Sequence, residues 1–135
     1  MGVAQLEQMG SFMTAKQRIA DRYRTELARV PGISAIEAPA CSQSNWWLFT
    51  VRVDERAFGH GSRSLMSALA ERNIQSRPLW RPLHMGAPHA NRLLLGDGSV
   101  AENFYRTSLS LPCSTHLTEA EQTAVVHAIQ EIVRP

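Results

Sequence analysis

Lysine is nearly absent from this chain. Its 14 basic residues are 13 arginines and a single lysine, Lys16, so any lysine-dependent chemistry must use that one side chain. Cysteine is scarce too: Cys41 and Cys113 stand far apart with no CxxC spacing. That pattern excludes a disulfide framework and fits free thiols in a reducing cytoplasm. The formal charge of +2 is small and dispersed, which argues against a nucleic-acid partner. No apolar run approaches the roughly 20 residues that span a bilayer. The N-terminus carries Glu7 and Gln8 in an amphipathic pattern where a signal peptide would have a basic patch and an apolar block. The expectation is a cytoplasmic chain without membrane contact.

What is present builds an ordinary core. With 135 residues, 44% hydrophobic and 19% charged, the chain reads as one domain over 1–135. Such a length buries about two-thirds of the unfolded surface. From Gly2 to Val30, apolar residues recur at three- and four-residue steps (Val3, Leu6, Met9, Met13, Ile19, Tyr23, Leu27, Val30), predicting a helix of ~25 residues, about twice the usual length. Gly10 and Ser11 offer a bend near its start, and Pro31-Gly32 ends it. Ile33–Ile36 suits a short strand. Trp46–Val53 is the best strand, with Trp47, Phe49, Val51 and Val53 on one apolar face and Trp46, Leu48, Thr50 and Arg52 on the other. Ser62 is placed to cap a helix through Arg72, which Asn73 closes in left-handed geometry. Ser99–Glu102 and Thr118–Glu121 both fit capping boxes, one opening a short helix to about Thr107 and one the last helix. Between them Leu109–Pro112 forms a brief strand. The order α-β-β-α-β-α-β-α predicts an α+β fold: a small, mainly antiparallel sheet with helices packed on it.

The stretch Ile74–His84 is unlike the rest. It starts as a short strand stopped by Pro78 and becomes a loop carrying Arg77, Trp80, Arg81 and His84. Pro78 and Pro82 fix their own φ and push Arg77 and Arg81 toward extended geometry, so the loop is stiff. Its side chains are of the kind that meet anionic or planar ligands. A metal reading of His60, His84, His89, His116 and Cys113 fails on spacing, because only His84 and His89 are close and Pro88 separates them. Trp46, Trp47 and Phe49 lack the basic surroundings of an RNA-stacking sheet.

An ordered set of motifs carries a family resemblance: Gly2-Val3-Ala4-Gln5-Leu6-Glu7 opening a long helix, Tyr23-Arg24, Pro31-Gly32-Ile33, and Asn45-Trp46-Trp47-Leu48-Phe49. Leu69 to Arg77, Pro82-Leu83-His84, Ala101-Glu102, Leu109-Ser110-Leu111-Pro112 and Leu117-Thr118-x-x-Glu121 complete it. In this order they resemble the C-terminal small domain of the DegT/DnrJ/EryC1/StrS sugar aminotransferases, enzymes of fold-type I that depend on pyridoxal phosphate (PLP). The wording Arg77-Pro78-Leu79-Trp80-x-Pro82-Leu83-His84 is most similar to members acting on nucleotide-linked 4-keto-6-deoxy sugars.

The resemblance implies that PLP, its lysine and its phosphate cup belong to the large domain of full-length members, and Lys16 matches no lysine motif of the family. The expectation is therefore no bound cofactor, no catalytic residue and no transamination by this chain alone. The resemblance also places His84 at a substrate cleft on a subunit boundary; a ring capping loop carbonyls is the alternative. Arg77 suits a sugar-nucleotide phosphate through its planar fork, or a local salt bridge equally well. Trp80 stacks on a sugar or base, or packs locally. Arg81 is a weaker phosphate candidate, and Asn45 either approaches the cleft or forms a turn. The expected partners are a second copy in a homodimer or a separate large-domain chain, with weak nucleotide-sugar binding. An interaction module self-associating through the long first helix is the alternative, since part of the stripe Val3, Leu6, Met9 and Met13 should be exposed.

Overall fold

The computed structural model describes residues 2–89 and 92–133; residues 1, 90, 91, 134 and 135 of the expected 1–135 span lie outside the described residues. The N-terminal stripe forms two helices in succession, α1 (Gly2–Glu7) and α2 (Met9–Leu27). The interruption falls at Gln8, slightly before the Gly10-Ser11 pair, and Ser11 Oγ donates to the Gln8 carbonyl at 2.7 Å. Next come strands β1 (Ile33–Ala35) and β2 (Phe49–Val53), helices α3 (Glu55–Phe58) and α4 (Ser62–Glu71), and strand β3 (Arg77–Pro78). Two 3-10 turns, helix α5 (Ser99–Thr107), strand β4 (Ser108–Leu111) and helix α6 (Glu119–Ile132) complete the chain.

The fold is α+β, with a four-stranded antiparallel sheet of order β1-β2-β4-β3. Phe49 lies opposite Leu111 and Val51 opposite Leu109, so the alternation in β2 and β4 aims these four side chains to the same face. Helices α2, α4 and α6 cover it with Ile19, Tyr23, Leu27, Leu65, Leu69, Val125 and Ile129. Burying each large apolar side chain stabilises the fold by about 1.5–3 kcal/mol. The other face is polar: Thr50 and Ser110 hydrogen-bond across the strands at 3.0 Å, and the Arg52 guanidinium lies 5.5 Å from the Phe104 ring of α5. Tyr23 donates its hydroxyl to the Pro112 carbonyl at 2.9 Å; burial, with Cys113 adding to it, pushes this phenol well above its usual range.

Four local expectations are corrected. The Trp46–Val53 strand starts only at Phe49, because Trp46 takes a φ of 49° and breaks the alternation. Trp46 is consequently buried, whereas Trp47, expected on the core face, is 66% exposed. Ser62 does not cap α4; its hydroxyl donates instead to the Arg106 carbonyl at 2.6 Å, and Gly61 holds the cap position. Ser99–Glu102 forms no capping box: Asp97 accepts from the Ser99 amide and hydroxyl, and Glu102 turns to His84. Those two bonds from Ser99 hold the Asp97 carboxyl below its usual range. The strand expected from Ile74 consists only of Arg77 and Pro78, at the sheet edge, where a proline without an amide is tolerated. The second capping box is present as expected, with Thr118 and Glu121 bonded reciprocally.

Candidate substrate-binding site

The Arg77–His84 loop is launched by the end of α4. Asn73 adopts a φ of 60°, its amide donates to the Ala70 carbonyl and the Ile74 amide to the Leu69 carbonyl, both at 2.9 Å. This paired closure stops the helix and turns the chain outward, with Ile74 packed back on the core. Arg77 and Pro78 then pair with Ser110 and Leu109 of β4, which fixes the base of the loop to the sheet. After Pro82 the chain tightens into the 3-10 turn Leu83–Met85, closed by the Gly86 amide on the Leu83 carbonyl at 2.9 Å.

His84 is held from across the loop. Its Nε2 lies 3.0 Å from Oε1 of Glu102, the α5 residue freed from capping duty. Gly98 makes room for this ring: its φ is +75°, and a Cβ there would lie 2.8 Å from His84 Nε2. Among the described residues the partner of Nε2 is thus a carboxylate.

Trp80 is 67% exposed and packs on Trp47, with ring centroids 5.7 Å apart and planes tilted by 31°. Trp47 supports Trp80 although strand alternation placed it on the core face. The signal for it lies in the Ser44-Asn45 pair ahead of it: Ser44 Oγ accepts the Trp46 amide and Asn45 Oδ1 the Trp47 amide, at 3.1 and 3.0 Å. Such side-chain turns divert the backbone from strand geometry. Asn45 therefore acts as a turn former that sets the Trp47 ring beside Trp80. Arg77 and Arg81 are exposed, and among the described residues neither makes a salt bridge, so the local-pair alternative for Arg77 is not realised there. Arg77 and Trp47 also line a cavity of about 690 Å³, floored by Leu48, Ile74, Leu111 and Val125.

The structure thus joins Trp80 to Trp47 and His84 to Glu102, with the exposed Arg77 and Arg81 on the same loop as Trp80 and His84. The model of the DegT/DnrJ/EryC1/StrS aminotransferase family matches residues 1–130. The chain belongs to that family. EpsN of Bacillus subtilis (strain 168) is 32% identical over 132 residues, which is 96% of this chain and 33% of EpsN. A GDP-perosamine synthase of Caulobacter vibrioides is 28% identical over 98% of this chain and 36% of its own length. Among solved structures, S. venezuelae DesV is similar at 30% identity with a TM-score of 0.84, over 98% of this chain and 34% of that one. The chain spans about a third of the length of the relatives it matches.

Members of the family bind PLP, as the name of EpsN, a pyridoxal phosphate-dependent aminotransferase, states, and Lys16 is the one lysine in this chain. The lone lysine has its ammonium occupied: Lys16 Nζ donates to the carbonyls of Trp47, at 3.2 Å, and Cys113.

Proposed function

We propose that this chain forms the C-terminal, small-domain part of a PLP-dependent nucleotide-sugar aminotransferase, contributes one wall of the substrate cleft, and does not transaminate by itself. The observation that carries this is the match along nearly the whole chain to about a third of each relative. In this reading the remaining wall and the cofactor come from the portion of the enzyme that the chain does not match. The cytoplasm is the expected compartment.

The wall consists of His84, Arg77, Trp80, Arg81 and Asn45, with Trp47 and Glu102 as supports. Arg77 and Arg81 offer planar forks to phosphate oxygens. Trp80, backed by Trp47, offers a flat face to a sugar or base. His84, oriented by Glu102, presents a polar ring edge. The GDP-linked product named for one relative favours a nucleotide-linked sugar as ligand. Half a cleft has few converging groups, so affinity should be no better than about millimolar. Titrating a nucleoside-diphosphate sugar while following tryptophan fluorescence tests it: a saturable change that Trp80→Phe removes is expected. A change that survives both Trp80→Phe and Arg77→Ala would place the ligand elsewhere.

A second reading, self-association, is favoured by Val3, Leu6 and Met9, which are all exposed along α1 and the start of α2. Such a stripe tends to find a cover, and a two-fold dimer is the simplest. Light scattering that reports a monomer over a wide concentration range would count against it.

A further inference from the structure

The lone lysine has a role that the cleft does not use. We propose that Lys16 and Cys113 are poised to form a reversible oxidative cross-link, a covalent Nζ–Sγ bond made in the presence of a peroxide. The two atoms lie 3.6 Å apart although 97 residues separate them in sequence. Both are pinned to the same piece of backbone. Lys16 Nζ donates to the Trp47 and Cys113 carbonyls, and Cys113 Sγ sits 3.3 Å from the Trp47 carbonyl. Neither group needs to search rotamers to meet the other. Cys113 is only 7% exposed, but it and Lys16 both line the cavity of about 690 Å³, which admits a small oxidant. No other lysine in the chain competes for the sulfur.

The chemistry balances with hydrogen peroxide as the oxidant. The Cys113 sulfur attacks one peroxide oxygen, the S–O bond forms, the O–O bond breaks, and water leaves. Sulfur is oxidised by two electrons and peroxide is reduced. Lys16, having given a proton to water, then attacks the sulfenyl sulfur. The N–S bond forms, the S–O bond breaks, and the departing hydroxide leaves as water with a proton from the amine. The sum is thiol, amine and peroxide going to a sulfenamide and two waters, as sulfenic acids do with backbone nitrogen. A thiol reductant reverses it by attacking sulfur and releasing the amine. The bond would fasten α2 to the segment after β4 and stiffen one side of the cavity.

The test uses the full chain carrying Cys41→Ser, because a Cys41–Cys113 disulfide would remove the same two hydrogens. One equivalent of hydrogen peroxide should lower the intact mass by two hydrogens, and dithiothreitol should restore it. After proteolysis, the peptides holding Lys16 and Cys113 should be joined. Adding Lys16→Arg keeps the charge but removes the amine; the cross-link should be lost and Cys113 captured by dimedone instead. Oxygen added at Cys113 with Lys16 still free to acylate would overturn the proposal, as would the same two-hydrogen loss in the Lys16→Arg protein. The joined peptides are read in the protein with native Lys16, so the outcome does not depend on how the second variant folds.

Discussion

Between the sheet and its covering helices, Phe49, Val51, Leu65, Leu69 and Leu109 are completely buried and belong to one core cluster. Along the connection from β3 to α5 the large apolar side chains do the opposite: Trp80, Leu83, Leu93 and Leu95 are between 67% and 92% exposed. The same residue types serve packing in one region and stand uncovered in the other. The first region is complete within this chain. In the second, residues 77–84 are anchored by β3 pairing and the His84–Glu102 bond and not by burial. Rigidity without burial is what a ligand or another protein surface requires, and it explains why a segment that adds little to stability still has defined geometry.

Substitutions can break that contrast, beginning in the core. Phe49→Ala should lower unfolding free energy by about 3–5 kcal/mol in urea titration, because the ring packs between Tyr23 and Trp46 and leaves a cavity. A loss below about 1 kcal/mol would mean that this face is not the core. Gly98→Ala is intermediate. It forces a left-handed alanine, about 1–2 kcal/mol in backbone cost, and drives a Cβ into His84. The specific readout is the His84 imidazole resonance, which should move as its bond to Glu102 is broken. Thr118→Ala should cost about 1 kcal/mol by removing the hydroxyl that accepts the Glu121 amide.

The same capping box sets a pH dependence. The Thr118 amide, and then its hydroxyl, hold the Glu121 carboxyl below its usual range in the folded chain. A depressed folded-state value contributes stability above the unfolded value and loses it as pH falls through the folded one. The stability gap between the native chain and Glu121→Gln should therefore be present at neutral pH and shrink on acidification below about 4.3. A gap that widens with acid would mean that the box is not formed in solution. The smallest stability effect belongs to the loop: Trp80→Phe should change unfolding free energy by no more than about 0.5 kcal/mol while abolishing the ligand-dependent fluorescence change. A large loss of stability there would erase the distinction between the two regions.

Sequence periodicity foresaw the elements whose contacts are local. The Thr118–Glu121 box and the left-handed Asn73 both depend on neighbours within a few residues. Two of the departures share one cause, a side chain with a local option taken by a distant partner. Ser62 could have capped its own helix but bonds the Arg106 carbonyl, 44 residues away. Glu102 could have closed a box with Ser99 but bonds His84, 18 residues away. Trp47 left the alternation of β2 because Ser44 and Asn45 bent the backbone ahead of it. For the candidate site, the loop and its residue types were legible from the prolines, arginines and histidine. The support Glu102 was not, since its role is set by tertiary contact with His84, and Trp47 was legible only through the Ser44-Asn45 turn ahead of it.

The central claim, that this chain is one wall of a cleft whose cofactor chemistry resides elsewhere, is tested most directly by incubating it with PLP and an amino donor, reducing with borohydride, and mapping the peptides. Lys16 should emerge unmodified, and no amino-donor turnover should be detected. Stoichiometric pyridoxyl-Lys16 accompanied by turnover would contradict it.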